Sequence, residues 1–369
     1  MKLIIEPSDG VAPVISAIKS AKKSVELAIF RFDYGAVEAA LKAAVTRGVK
    51  VAALIANTNR GGVKNLRQLE MRFLAAGIVV SRTDDDLLRY HDKFILIDRH
   101  TLYMLSFNFT RLDIDRTRGF GIVTKNTKLV QEAVKLFEAD SMRRAYSPKV
   151  NAFVVSPANS RKVLGTFLKR AKKQLLIFDP KISDKEMLDI LRHQAKAGVE
   201  VRVIGRVPGR FEFGVRRPTS MRLHTRTIIR DHHQAFIGSQ SLRTAELDTR
   251  RELGLLIRNS KIVKKLVDTF ESDWIAHEAK KERAVEEVDV NAPETPKMDT
   301  EKAVEVLTQE LHPMSVTLKK AVKKVVAEAG EEAVEQKMVK NTVKKMVKKV
   351  VKEAVKEVAQ EAKEIEKSA

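Results

Sequence analysis

The chain has 369 residues, with 69 Lys+Arg against 48 Asp+Glu and a formal net charge of +21. At 44% hydrophobic it can build cores, which excludes a wholly disordered chain, and its length suits two globular units at roughly 100–200 residues each. It has no cysteine, so disulfide scaffolds, thiolate metal sites and cysteine nucleophiles are excluded. No apolar run approaches the ~18–20 residues of a membrane-spanning helix.

The first apolar run, Leu3-Ile4-Ile5, stops at Glu6 and Pro7. That is too short for a secretory signal, so a cytoplasmic chain is expected. A helix follows around 14–21, then a strand over 24–30 and a helix over 36–46 closed by Arg47-Gly48. The apolar run 49–55 is a strand of parallel-sheet type. Gly61-Gly62 opens a loop, 63–76 is helical, and 78–81 is a short strand. Residues 126–148 are a helix and linker. The order then repeats: helix 161–171, strand 175–178, helix 184–197 closed by Gly198, strand 199–204. Alternating strands and helices in doubled order predict an α/β fold of two similar units packed together. The expected division is 1–125 and 149–280 for the two units, with 126–148 between them. An acidic, proline-containing linker over 281–313 and a Lys/Val/Ala-rich helical tail over 314–369 complete it.

Charge is divided unevenly. Arginine and aromatic residues are absent after residue 283, and the last 86 residues are close to neutral. The excess positive charge lies in the first part, where it would attract a polyanion such as nucleic acid or an anionic lipid surface. In the tail, Val339, Val343, Met346, Val350, Ala354 and Val358 share one helical face beside many lysines. Docking on an anionic membrane, binding of nucleic acid and self-association are the partner readings.

The repeat is sharpest in two windows. Residues 89–109 read RYHDKFILIDRHTLYMLSFNF, and 222–242 read RLHTRTIIRDHHQAFIGSQSL, at a constant offset of 133. Arg89/Arg222, His91/His224, Ile95/Ile228, Asp98/Asp231, His100/His233 and Ser106/Ser239 are identical, and further on Arg118 meets Arg251. Each window suggests a strand, a turn and a strand. Residues two apart share a strand face, so His91 would point with Lys93, and His224 with Arg226. Two imidazoles and two cations around one cavity can divide the work of phosphoryl transfer. One neutral imidazole attacks, the other gives a proton to the leaving oxygen, and the cations hold the nonbridging oxygens. No metal or other cofactor is required by such a scheme. His100, His232 and His233 fall at the turns and are expected to be exposed. Trp274 is expected to pack against the second unit.

His91-x-Lys93-x4-Asp98 followed by Ser106-x-Asn108 resembles the HxKx4D motif of the phospholipase D superfamily. His224-x-Arg226-x4-Asp231 with Ser239-x-Ser241 resembles it in altered form. The resemblance covers about residues 1–278. It implies two pseudo-symmetric phospholipase D-like α/β/α lobes, a shared site at their interface and a phosphohistidine intermediate. It further implies a carboxylate about eleven residues after the Asn that orients the histidine of the other lobe. Glu252 occupies that place in the second half, and Gly119 in the first. His224 then lacks a partner unless Asp113 or Asp115 substitutes. On this basis His91 is expected as nucleophile oriented by Glu252, and His224 as general acid. Lys93, Arg226, Asn108, Ser239 and Ser241 are expected around the phosphate, with Asp98 and Asp231 holding the hairpins. The expected function is a phospholipase D-type hydrolysis or transfer of phosphatidyl groups, with peripheral contact at a membrane. A metal-independent nuclease and a degenerate nucleic-acid- or membrane-binding protein are the alternatives, the last favoured by Arg226, Ser241 and Gly119.

Overall fold

A computed structural model of the protein describes residues 1–57, 63–209, 211–218 and 221–289. Residues 1–285 form one compact unit, and a second unit begins at Glu286. The Gly61-Gly62 loop and the helical tail lie outside the described residues.

The first half runs β1 (Lys2–Glu6), α1 (Ala12–Ser20), β2 (Ser24–Ile29), α2 (Gly35–Thr46), β3 (Lys50–Ile55), α3 (Val63–Ala75), β4 (Val79–Arg82), β5 (Arg89–Tyr90), β6 (Phe94–Ile97), β7 (Thr101–Leu105), α4 (Arg111–Asp115), β8 (Thr117–Thr124) and α5 (Thr127–Ser141). The second half runs β9 (Phe153–Ser156), α6 (Ser160–Lys169), β10 (Gln174–Asp179), α7 (Lys185–Lys196), β11 (Glu200–Gly205), β12 (Gly214–Arg216), β13 (Arg222–Leu223), β14 (Arg226–Arg230), β15 (Gln234–Gly238), α8 (Thr244–Asp248), β16 (Arg250–Ile257) and α9 (Ser260–Asp289). The last helix thus extends beyond residue 280. Each half builds one mixed sheet, in the orders β1-β8-β7-β6-β2-β3-β4 and β12-β11-β10-β14-β15-β16-β5.

Strand parity explains the layers. In β2, Val25, Leu27 and Ile29 face α1, α2 and α3, while Ala28 faces the other side. The second sheet repeats this, with Leu175 and Ile177 toward α6 and α7, and Leu176 and Phe178 inward. Between the two inner faces lie α5, through Leu129, Ala133, Leu136 and Phe137, and α9, through Ile262, Val263, Leu266 and Phe270. One core therefore serves both lobes. Local signals set the helix ends. Asn126 and Asp184 cap α5 and α7 by accepting the N–H groups of Leu129 and Met187. Gly48 and Gly198 follow α2 and α7 with φ of 83° and 87°, a conformation that costs glycine nothing.

Two devices bind the halves. First, each half lends a short strand to the other: β5 pairs parallel with β16, and β13 with β8. The segments around the histidines are therefore not continuous hairpin strands. Residues 91–93 link β5 in one sheet to β6 in the other, because the backbone at 89–90 finds its partners across the interface. Second, Arg118 holds Asp273 of α9 at 2.8 Å, and Arg251 holds Asp140 of α5 at 3.0 Å. Both pairs lie at the offset of 133. Within the second half, Trp274 stacks on Phe270 and lies under Arg216 and Arg202 of the second sheet, as expected of it.

The motif aspartates sit in the β6–β7 and β14–β15 turns at φ 54° and 53°. Asp98 accepts the N–H groups of Lys22, Lys23 and Ser24, and Asp231 those of Lys172, Lys173 and Gln174. Burial acts upward on both carboxyl groups, but the amides outweigh it and hold them below the ordinary range. Their stabilisation is present above the unfolded value and is lost as pH falls through the folded one. Asp98→Ala should destabilise by about 2 kcal/mol, from lost amide bonds and a β-carbon in a left-handed turn. Asp98→Asn, which keeps an acceptor and tolerates that conformation, should cost about half as much. Urea unfolding of the two variants measures the difference.

Candidate active site

The two crossing strands end at the histidines. His91 N–H donates to the Arg251 carbonyl at 2.8 Å, and His224 N–H to the Arg118 carbonyl at 3.1 Å. Each histidine is thereby anchored on the opposite sheet. The ring centroids stand 6.3 Å apart at 82°. That separation places both rings within reach of one tetrahedral phosphorus. Both side chains are largely buried, as are Lys93 and Arg226.

Carboxylates back both rings. Glu252 of β16, fully buried, lies 2.8 Å from His91 Nδ1. Asp113 of α4 lies 3.1 Å from His224 Nδ1. Phe30 packs edge-on against His91 at 4.7 Å. Lys93 Nζ donates to the His91 carbonyl at 2.5 Å, and Arg226 Nη1 to the His224 carbonyl at 2.6 Å. Each cation thus hangs from the backbone of its own histidine.

The remaining expected residues fall into two groups. Arg226 Nε donates to Ser241 Oγ at 3.1 Å, so that serine fills the place of Asn108. Asn108 instead donates its side-chain amide to Asp113 at 2.6 Å. Ser239 accepts the Leu253 N–H at 3.1 Å, and Ser106 the Phe120 N–H at 2.9 Å, so both hydroxyls tie neighbouring strands. His100, His232 and His233 are exposed at the turns. Among the described residues no cluster of three or more His, Asp or Glu side chains could hold a metal ion.

Sequence reasoning missed Glu246 and Phe30. Glu246 of α8 holds Arg243 and Arg250 at 3.1 and 3.0 Å, accepts the Ser241 N–H, and lies 3.8 Å from Arg226. It is the counterpart of Asp113 at the same offset of 133, which was the available signal. Gly119 is explained by packing: a β-carbon there would meet Phe107 at 2.9 Å.

Burial dominates the electrostatics. Burial, with Lys93 and Arg226 adding to it, holds His91 well below its ordinary value. Burial lowers His224 to about 4, with Asp113 opposing. On Asp113 burial acts upward, but His224 and Asn108 outweigh it and keep the carboxyl ionised. Burial raises Glu252 against Lys93 and Arg226. Lys93 falls to about 7 through burial, despite Glu252. Burial thus favours the neutral form of both imidazoles at neutral pH and weakens the charge on Lys93.

Residues 14–141 match the family described as cardiolipin synthase, PLD-like domain. No curated protein sequence matches the chain. Among solved structures, polyphosphate kinase from Porphyromonas gingivalis aligns at 20% identity and a TM-score of 0.62, over 73% of this chain and 49% of that one. The chain thus spans about half the length of that kinase. Phosphatidylserine synthase of Haemophilus influenzae aligns at 12% identity and a TM-score of 0.57, over 75% and 86% of the two chains. Both are likenesses of fold, and both extend across the two lobes. Nuc from Salmonella typhimurium aligns at 27% identity and a TM-score of 0.34, over 39% and 95%.

The low value of Lys93 has a measurable consequence. Its charge is lost as pH rises through about 7. Affinity for tungstate, a phosphate-like dianion, should fall by up to about tenfold per pH unit above 7. Lys93→Arg should flatten that dependence. Isothermal titration from pH 6 to 9 checks both.

Proposed function

We propose that the chain, which belongs to the phospholipase D superfamily, hydrolyses or transfers phosphatidyl groups through a phosphohistidine formed on His91. The observation that carries this reading is the 6.3 Å pairing of the two rings, each with a carboxylate behind it and a cation beside it.

The chemistry follows from the hydrogen bonds. With Nδ1–H donated to Glu252, His91 presents an unprotonated Nε2 to the phosphorus. An anionic diester brings negative charge between the rings and restores the charge on Lys93. It also favours protonation of His224, whose Nδ1 already faces ionised Asp113. Nε2 of His91 bonds to phosphorus as the bond to the leaving oxygen breaks, and that oxygen takes the proton of His224. Water or an alcohol then attacks the phosphorus as its bond to His91 Nε2 breaks, and the attacking oxygen gives its proton back to His224. Lys93 and Arg226 hold the nonbridging oxygens in both steps.

A lipid substrate is supported by two exposed leucines close in sequence to site residues. Leu88, three residues before His91, is 65% exposed, and Leu112, beside Asp113, is 50% exposed. Exposed leucines next to both histidine-bearing segments suit acyl chains at a membrane surface. The ring against His91, Phe30, is buried, with Arg31 and Arg89 over its face, so it provides no platform for stacking bases. The match to a cardiolipin synthase domain and the shared fold with a phosphatidylserine synthase support the same substrate class. The surplus of basic residues suits a nucleic-acid backbone equally, so DNA belongs in the test.

Phosphatidylglycerol vesicles and DNA, each incubated with EDTA, separate the substrates. Release of headgroup without nicking of DNA is expected, and DNA cleavage with intact lipid would overturn the reading. Substrate labelled at phosphorus should leave label on His224→Ala and none on His91→Ala. The reverse would exchange the two roles. Leu88→Ser combined with Leu112→Ser should slow turnover of vesicles at least tenfold, about the loss of one buried leucine contact. Turnover of a soluble short-chain lipid should stay within twofold, and an equal loss on both would contradict membrane docking.

A further inference from the structure

The two histidines are not served by equivalent carboxylates. Glu252 reaches His91 from β16, the strand that pairs with β5. Its counterpart in β8 is Gly119, where Phe107 fills the space a side chain would need. Glu6 lies opposite Gly119 in the β1–β8 ladder, but the charged groups that act on it are Asp9 and Asp115, and His224 is not among them. The strand that carries a carboxylate in one lobe therefore carries none for His224 in the other.

We infer that Asp113 is the positioning residue for His224, supplied from α4 instead of from the β8 strand. Three observations support it. Its Oδ2 lies 3.1 Å from His224 Nδ1, and the residue is 2% exposed. The carboxylate is itself held, by the backbone N–H and side-chain amide of Asn108 on Oδ2 and by Arg222 on Oδ1 at 3.0 Å. Thr110 caps α4 by accepting the Asp113 N–H, which fixes the short helix that presents it. The matching residue of the second lobe, Glu246, is turned to three arginines and the Ser241 N–H. Positions 113 and 246 have thus diverged: one aligns an imidazole of the other lobe, the other supports Arg226 and its neighbours. Asn108 joins Asp113 in that role, which accounts for the direction of its amide.

The charged and titratable groups facing His224 are Asp113 from α4, Arg226 from β14, and Lys93 and His91 across the interface. Asp113 is the one among them within 3.1 Å of Nδ1; the contact is an ion-pair distance, and among the described residues no aligned hydrogen bond reaches that buried nitrogen. Asp113 thereby favours Nδ1 as the protonated nitrogen and leaves Nε2 to carry the mobile proton. When the bond from phosphorus to the leaving oxygen breaks, that proton passes from Nε2 to the oxygen. This catalytic consequence rests on the reading of His224 as proton donor; the alignment does not.

Two measurements test the inference separately. Nitrogen-15 NMR of labelled histidine at pH 8 reads the tautomer without turnover. His224 should bear its proton on Nδ1, and Asp113→Ala should move it to Nε2 while His91, held by Glu252, is unchanged. A His224 tautomer that does not respond, or a His91 tautomer that shifts equally, would overturn the inference. Activity then reads the consequence through leaving groups. Asp113→Asn should slow a diester with an alkyl alcohol leaving group at least thirtyfold, and one releasing p-nitrophenolate less than threefold. In a His224→Ala background the same substitution should change either rate less than twofold. A loss equal for both leaving groups, or undiminished in that background, would show a structural role. A tautomer that responds in a protein that cleaves no diester would count against the proposed function and leave the alignment standing.

Discussion

The crossing of two short strands is the constraint on which the site depends. β5 and β13 contain two residues each, yet each joins the sheet of the opposite lobe. The residue that follows each one is a histidine, bonded through its N–H to that foreign sheet. A histidine placed this way cannot move with its own lobe alone. The pairing of the rings is therefore a property of the interface, and the interface is held by a shared apolar core with α5 and α9 between the sheets. The ion pairs of Arg118 with Asp273 and Arg251 with Asp140 reinforce the same junction at pseudo-equivalent points. Breaking a buried pair by removing one partner leaves an uncompensated charge, so these contacts resist any separation of the lobes.

Inside that frame the electrostatics favour an anion. Burial works against charge on His91, His224 and Lys93. The cost of keeping these groups out of water is offset when a phosphodiester enters between them. The replacement of a lysine by Arg226 is accommodated by Ser241 and Glu246, which hold the guanidinium from two sides. The departures of the second motif are thus coordinated. Arg226, Ser241 and Glu246 form one local network and Asn108 with Asp113 another, while Phe107 fills the space beside Gly119.

Much of this was legible in the sequence. Helices α1, α2, α3, α6 and α7 follow from apolar spacing, helped at α2, α3 and α7 by the glycines after them, and β3 and β10 follow from unbroken apolar runs, β2 and β11 from apolar runs interrupted by single charged residues. The twin motifs and their offset point to a pseudo-symmetric pair of lobes. The strand exchange was not legible, because Arg89-Tyr90 and Arg222-Leu223 carry no periodic signal and their partners lie about 160 and 105 residues away. Local reasoning joined them to the following strands instead. Glu252 was accessible through its spacing from the second motif. Asp113 could be named only as one of two candidates, since the spacing does not say which acid of α4 turns inward. The bridging aspartates, Asp140 and Asp273, share the offset of the motifs, but a single acid within an amphipathic helix is ordinarily a solvated residue.

The central claim is that two histidines from two lobes act in succession on one phosphorus. Its most direct measurement is the stereochemical course at that atom, using a diester made chiral by sulfur and oxygen-isotope substitution. Two in-line displacements through a phosphohistidine predict retention of configuration in the product. Inversion would mean a single displacement by water or alcohol, and would contradict the account.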